Sequence, residues 1–335
     1  MPAEDVPALE VRGLVKHYPV RGPGRCGPAV KALDGVDLTL RPGTTLGLVG
    51  ESGCGKSTLA RLLMALERPT SGSVLVEGRD LFSLPRAELR RMRRDIQLVM
   101  QDPFGSLDPR MTVGQIIAEP FEIHRDLVPK AKREHRVREL LDMVGLDPRS
   151  VHRHPHEFSG GQRQRIGIAR ALALRPRVVI CDEPVSALDV SIQAQVVNLL
   201  ADLQREFGLA YVFIAHNLAV VRHVADEIAV MYLGRIVERG SAETVYGHPA
   251  HPYTRALLAA APVPDPRRRG HEGLPLLDGD PPNPADPPAG CAFAGRCWKS
   301  EAVCSETRPV LAAAGAGRSE GGAGRQEAAC HFPEA

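Results

Sequence analysis

The chain has 335 residues, 43% of them hydrophobic and 24% charged, as in a folded globular protein larger than one typical domain. Its 42 basic and 40 acidic residues give a formal net charge of +2, which gives no reason to expect a nucleic-acid partner. No apolar run approaches the roughly 18 residues that span a bilayer, and residues 1–10 lack the apolar core of a secretory signal. We therefore expect a cytosolic protein that reaches the membrane only through a partner.

The first hundred residues predict strands and one helix. Residues 8–20 and 29–49 are rich in Val, Leu and Thr and predict strands and hairpins. Within the second stretch, residues 45–49 form a short apolar run that predicts a buried strand. Leucines at helical spacing predict a helix over residues 57–67, and residues 95–100 predict another strand.

Helices and strands alternate in the middle of the chain. Residues 111–174 are charged and poor in β-branched runs, which predicts a helical subdomain. A buried strand follows at 178–181, then an amphipathic helix at 191–206 with Val196, Leu199, Leu200 and Leu203 on one side. Further strands are expected at 211–215 and 227–231. This order predicts an α/β fold with a mixed, largely parallel sheet beside the antiparallel hairpins.

The composition changes near residue 262. Residues 262–288 are dense in Pro, Gly and Asp and predict an irregular linker. Residues 311–329 are rich in Ala and Gly, which favours a flexible segment.

A glycine-rich loop lies between the predicted strand 45–49 and the helix that follows it. Glycines let backbone N–H groups turn towards phosphate oxygens, and the helix N-terminus adds partial positive charge. In such a loop Lys56 reaches the β- and γ-phosphates, and the Ser57 hydroxyl binds Mg²⁺. The alternative is a glycine-rich turn with no ligand. The loop comprises Gly50, Glu51, Ser52, Gly53, Cys54, Gly55, Lys56, Ser57 and Thr58.

Two carboxylates end the predicted strand at 178–181. A Mg²⁺-bound nucleotide needs an acidic partner on a neighbouring strand, and Asp182 can hold the metal through water. Glu183 can accept a proton from an attacking water. Alone, such a pair is often a solvated turn, but it follows a phosphate loop in the same chain.

A phosphate loop of this kind is shared by many ATPases. Residues 158–165 indicate one family of them, because they resemble the signature motif of the ATP-binding-cassette (ABC) family. In that family a serine hydroxyl and glycine amides at a helix N-terminus grip the γ-phosphate of ATP held by the opposing subunit. The alternative is a serine that only caps its own helix. The resemblance places Ser159, Gly160, Gly161 and Gln162 at that contact.

Four more positions follow the ABC pattern in order, and the resemblance covers residues 8–250. It implies an ABC core working as one half of a head-to-tail pair that encloses two MgATP. Each match is weak evidence alone, since a lone Tyr more often packs in the core and a lone His is more often a hydrogen-bonded surface or core group. The resemblance implies Tyr18 on adenine, Gln101 at Mg²⁺ and the attacking water, Asp189 at the dimer seam and His216 on the γ-phosphate.

Three segments, two of which begin within these motifs and extend beyond them, resemble the ATPases of oligopeptide and dipeptide importers, especially the second of their two subunits. They are residues 101–113, 183–196 and 251–258. The resemblance implies a cytoplasmic, peripheral subunit with a paralogous or identical ATPase partner, two transmembrane permease subunits and an extracellular substrate-binding protein. Nickel or glutathione import, an exporter subunit and a soluble mechanical ATPase are the alternatives.

The same resemblance divides the chain into two domains. It implies a nucleotide-binding domain at 1–250, with a helical subdomain at about 102–175, and a small irregular extension at 251–335.

Four of the seven cysteines lie near the C-terminus, at Cys291, Cys297, Cys304 and Cys330. Four thiolates can hold Zn²⁺ or a four-iron, four-sulfur cluster, although the paired C-x₂-C of zinc ribbons is missing. The resemblance favours iron–sulfur, with a structural role because these residues lie outside the ATP motifs. Free buried thiols are the alternative.

Overall fold

A computed structural model describes residues 6–19, 21–22, 25–26, 29–102, 105–216, 218–260, 277, 279–314 and 326–334. The chain divides into two compact units. We call residues 1–9, 40–44 and 76–214 the helix-rich unit, and residues 10–39, 45–75 and 215–335 the phosphate-loop unit. Most of the predicted linker at 262–288 lies outside the described residues. In the described ranges, none of the helices has the length and apolar character needed to cross a bilayer.

The elements confirm the predicted alternation of strands and helices. The first twelve are β1 (Leu9–Tyr18), β2 (Arg21–Gly22), β3 (Arg25–Cys26), β4 (Val30–Leu40), β5 (Thr45–Val49), α1 (Lys56–Leu63), β6 (Ser71–Val76), β7 (Arg79–Asp80), α2 (Arg86–Met92), β8 (Ile96–Val99), α3 (Val113–Ile123) and α4 (Arg133–Met143). They continue with α5 (Gly160–Leu172), β9 (Val178–Asp182), α6 (Val190–Phe207), β10 (Ala210–Ala215), α7 (Leu218–Arg222), β11 (Glu227–Tyr232), β12 (Arg235–Ser241), α8 (Ala242–Gly247), α9 (Pro252–Ala260), α10 (Ala302–Glu306), β13 (Ala312–Ala313) and β14 (Glu327–Ala328).

The phosphate-loop unit is built around a sheet with strand order β13-β14-β12-β11-β5. Strand β11 runs parallel to β5, with Glu227 opposite Leu46, and antiparallel to β12. All five residues of β5 are buried, which explains its uninterrupted apolar run. This buried strand fixes the start of the glycine-rich loop. A smaller sheet with the order β4-β1-β6 is the predicted antiparallel part.

The helix-rich unit contains the parallel strands β10-β9-β8, with Val178 opposite both Ala210 and Ile96. Helices α3, α4 and α5 pack on one another, which confirms the helical region predicted at 111–174. Helix α3 begins at a capping box of Thr112 and Gln115, in which each side chain accepts the other's backbone N–H. The first four residues of β9 are buried, so its carboxyl end emerges from the core of this unit.

Three sequence predictions were wrong in detail. Helix α1 ends at Leu63 and not at residue 67, because Ala65 adopts a φ of 49° and Leu66 is 58% exposed. In α6 the buried face includes Val197, whereas Leu199 is half-buried. The Ala/Gly-rich segment at 311–329 carries strands β13 and β14 at its two ends, and its residues 315–325 lie outside the described part.

Candidate functional site: a phosphate loop and a carboxylate cluster

The glycine-rich loop has a backbone that only glycine can form at two positions. Gly50 and Gly55 have φ values of 156° and 115°. A Cβ on Gly50 would lie 2.2 Å from the carbonyl oxygen of Met231, and one on Gly55 would lie 2.4 Å from that of Ala32. The loop leads directly into α1, whose first N–H groups have no partners inside the helix. The loop therefore offers the backbone donors that a phosphate requires.

Lys56 brings positive charge into this loop. Its side chain is buried, and the ammonium Nζ donates to the carbonyl oxygens of Gly50, at 2.7 Å, and Glu51, at 2.9 Å. Nζ also lies 3.7 Å from Sγ of Cys54, whose thiol has a pKa raised by burial. Ser57, at the start of α1, is exposed. The residues present thus fit a triphosphate and its metal ion by charge and donor type.

The helix-rich unit holds the carboxylate cluster, made up of Asp182 and Glu183, with the amide of Gln101 bonded to Glu183. Asp182 ends β9, and Glu183 follows it with a left-handed φ of 46°. The Glu183 N–H donates to the carbonyl oxygen of Ile214 at 2.9 Å. Nε2 of Gln101 donates to Oε2 of Glu183, also at 2.9 Å. A non-glycine residue at positive φ is held there by its surroundings, a feature common at functional sites.

The signature residues form a helix start in the same unit. Oγ of Ser159 accepts the N–H of Gln162 at 3.4 Å, and Oε1 of Gln162 accepts the N–H of Ser159 at 3.0 Å. The capping interpretation of Ser159 is thus correct as local geometry. A Cβ on Gly161 would lie 2.4 Å from Cγ2 of Ile192, so glycine lets α5 approach α6 closely. Ser159 is exposed and Gly160 half-buried, so this helix end is accessible.

The remaining predicted site residues occupy the ends of elements. The hydroxyl of Tyr18 donates to Oε2 of Glu67 at 2.6 Å, and Nζ of Lys16 lies 4.9 Å from the Tyr18 ring centroid. His216 is exposed immediately after β10, and Asp189 is exposed immediately before α6. The predicted roles of these three residues stay predictions.

Two contacts to the phosphate loop come from the C-terminal region and were missed by sequence reasoning. Arg296 forms two hydrogen bonds to the Glu51 carboxylate, and the Tyr253 hydroxyl accepts the N–H of Glu51. The pairs are 245 and 202 residues apart in sequence, so no local pattern could signal them.

The four C-terminal cysteines are neighbours, but their side chains are not arranged as a set of metal ligands. The N–H of Cys291 donates to the carbonyl oxygen of Cys304 at 2.7 Å. Burial raises the pKa of Cys291, Cys297 and Cys330, and charge on nearby cysteines adds to each shift. Among the described residues, no three His, Cys, Asp or Glu side chains have metal-binding geometry. The predicted iron–sulfur cluster therefore gains no support from ligand geometry.

Comparison with known proteins places these features in one family. Residues 33–186 match the ABC transporter family, and residues 237–304 match the oligopeptide/dipeptide transporter C-terminal region. The chain is 55% identical to the oligopeptide transport ATP-binding protein OppF of Salmonella typhimurium over 307 residues, covering 90% of this chain and 92% of the relative. It is 52% identical to the putative oligopeptide transport ATP-binding protein YkfD of Bacillus subtilis, covering 91% and 92%.

A solved structure agrees with the fold. The dimeric ATP-binding cassette MJ0796, in a post-hydrolysis state bound to ADP and Pi, matches with a TM-score of 0.62 and 29% identity. The match covers 70% of this chain and 98% of that one. The chain is therefore an ATPase of the ABC transporter family, in the branch of ATP-binding subunits that carries the oligopeptide/dipeptide transporter C-terminal region.

Proposed function

We propose that this chain hydrolyses ATP to power the import of oligopeptides or dipeptides. The observation that carries the proposal is its phosphate loop, with Lys56 buried inside it, in a chain 55% identical to an oligopeptide transport ATP-binding protein. The match of residues 237–304 to the oligopeptide/dipeptide transporter C-terminal region supports this branch of importers, and the similarity to an oligopeptide transport ATP-binding protein supports peptides as the cargo.

Within the proposed ATP site, the phosphate loop binds the charged end of the nucleotide. Lys56 and the loop amides hold the phosphates, and Ser57, Asp182 and Gln101 are the residues that would hold Mg²⁺. Bound Mg²⁺ would neutralise charge that develops on the phosphate oxygens. Tyr18 packs against the adenine ring, and His216 donates to the γ-phosphate.

Glu183 is the proposed general base. Its carboxylate takes a proton from the attacking water. Gln101 donates a hydrogen bond to this carboxylate at 2.9 Å and orients both the carboxylate and the water. The signature residues bind the γ-phosphate of the ATP held by the partner ATPase; they are Ser159, Gly160, Gly161 and Gln162. Asp189 lies where the two ATPase subunits meet. Closure and reopening of the pair drive the membrane subunits.

The proposed assembly is an importer at the cytoplasmic face of the cell membrane. Its other parts are a second ATPase, two transmembrane permease subunits and an extracellular substrate-binding protein. We favour a paralogue over an identical copy as the second ATPase. In this arrangement residues 1–250 form the nucleotide-binding domain, with the helical subdomain at 102–175, and residues 251–335 form the extension.

Reconstitution tests this function. The chain, a candidate partner ATPase and the permeases are placed in proteoliposomes with the binding protein and varied cargo. We expect peptide-loaded binding protein to stimulate ATP hydrolysis and labelled peptide to accumulate. Stimulation by nickel or glutathione but not by peptides would refute the cargo, and an ATPase stimulated only by DNA or ribosomes would refute the importer.

We also propose that Cys291, Cys297, Cys304 and Cys330 hold a [4Fe–4S] cluster with a structural role. Support comes from the donor set, four cysteines in the C-terminal region, two of which are joined by the 2.7 Å hydrogen bond from the N–H of Cys291 to the carbonyl oxygen of Cys304. Anaerobically purified protein should contain iron and acid-labile sulfide, and each single Cys→Ser change should remove them and lower the melting temperature. Cys26→Ser is the control and should retain both. Zinc in place of iron, or no metal at all, contradicts the assignment.

A further inference from the structure

Arg296 reaches the phosphate loop from the cysteine-bearing tail. It ends a short 3-10 turn, Ala294–Arg296, directly before Cys297. Its Nη1 lies 2.7 Å from Oε2 of Glu51, and its Nη2 lies 2.9 Å from Oε1. The Arg296 side chain is only 6% exposed. Two parallel charged hydrogen bonds of this kind fix the position of the carboxylate and set a positive group against it.

Tyr253 holds the backbone of the same loop residue. Its hydroxyl accepts the N–H of Glu51 at 2.8 Å, and its ring is fully buried. The Glu51 carbonyl oxygen in turn accepts from Nζ of Lys56 at 2.9 Å. Both the main chain and the side chain of Glu51 are thus bound by residues that follow the matched ABC core in sequence.

An aromatic cluster packs around Tyr253 and contacts Arg296. The rings of Tyr232 and Tyr253 have centroids 4.6 Å apart, and each lies 5.5 Å from the ring of Phe293. Nη1 of Arg296 also lies 3.4 Å from the hydroxyl oxygen of Tyr232. All three rings are fully buried, so they form a packed support beside the Arg296–Glu51 pair.

A carboxylate in a phosphate-binding loop opposes the binding of a polyanion. Glu51 is the second residue of the loop, and an uncompensated charge there would repel a triphosphate. Arg296 pairs with the Glu51 charge, and the Tyr253 hydroxyl holds the backbone of the loop at Glu51. We propose that Arg296 and Tyr253 are positioning residues of the nucleotide site, through which the cysteine-bearing tail sets the affinity for MgATP. This inference rests on the proposed ATP-binding role of the loop.

The test compares Kd values for a fluorescent MgATP analogue in the full-length chain. Arg296→Ala should weaken binding about tenfold, in the range of other coupled sites, with kcat at saturating ATP little changed. Glu51→Gln in the Arg296→Ala background should restore the affinity, because the unpaired carboxylate is then gone. A purely architectural role would lower the melting temperature of both variants and show no such rescue. The control is Arg308→Ala, which removes another tail arginine that lies 3.5 Å from Asp34 instead of Glu51.

Tyr253→Phe isolates the backbone contact and serves if Arg296→Ala does not fold. We expect weaker MgATP binding and faster hydrogen exchange at the Glu51 amide. Wild-type affinity in folded Arg296→Ala and Tyr253→Phe, or failure of the Glu51→Gln rescue, would overturn the inference and leave the proposed function intact. Failure of the unmodified chain to bind MgATP would instead overturn the proposed function.

Discussion

Glu183→Gln should reduce ATP hydrolysis by about 10²–10⁴-fold, the usual contribution of a general base, while MgATP stays bound. Glutamine keeps the shape and an oxygen that can accept from Gln101, which lies 2.9 Å from Glu183. It cannot take a proton from water. Hydrolysis therefore stops after nucleotide binding, and we expect the ATPase pair to accumulate closed around ATP.

Single-turnover phosphate release, together with retention of labelled ATP on gel filtration, measures both parts of this expectation. Glu206→Gln is the matched control, since this exposed glutamate lies near the end of α6 and should have no effect. Normal turnover in Glu183→Gln would rule out Glu183 as the base. Loss of both turnover and nucleotide binding would point to a structural role for the strained turn at Glu183, where φ is 46°.

Lys56→Ala should weaken MgATP binding by at least about a hundredfold, because a buried positive charge that contacts phosphate is lost where water screens it poorly. The ammonium is already inside the loop, bound to the carbonyl oxygens of Gly50 and Glu51. Removing the ammonium leaves these two carbonyl oxygens without this donor, at a cost of about 1–3 kcal/mol for each that stays buried, so the variant should be less stable but still folded.

Calorimetric titration with MgATP, alongside circular dichroism, measures binding and folding separately. The exposed Lys132, in a short 3-10 turn of the helix-rich unit, provides the control variant Lys132→Ala. Unchanged affinity in folded Lys56→Ala would show that the loop amides alone carry phosphate binding, contrary to the role given to Lys56.

The parts of the fold that sequence predicted best are those decided within a few residues. The buried strand Thr45–Val49 could be predicted because its apolar run is continuous. The helix cap at Ser159 could be predicted from the residue type alone, and its partner Gln162 lies within the same turn. The end of α1 was missed because Ala65 takes a left-handed conformation that its residue type does not favour.

Contacts between distant segments could not be predicted. Gly161 belongs to the signature motif, but its close approach to Ile192 depends on how α5 packs against α6. The Arg296–Glu51 pair joins positions 245 residues apart, and the tail around Arg296 has no helical or strand periodicity that would place it. The cysteine spacing similarly indicated donors but not their arrangement.

The short strand β14 has a consequence for shortened versions of the chain. It pairs with β12, while Gln326 donates to the buried carboxylate of Glu238 and the N–H of Glu334 donates to the carbonyl oxygen of Ala250. A chain lacking residues 326–334 would expose unpaired N–H and C=O groups along β12. Exposed strand edges recruit further strands, so trimming this short segment would turn a protected sheet margin into a site for self-association.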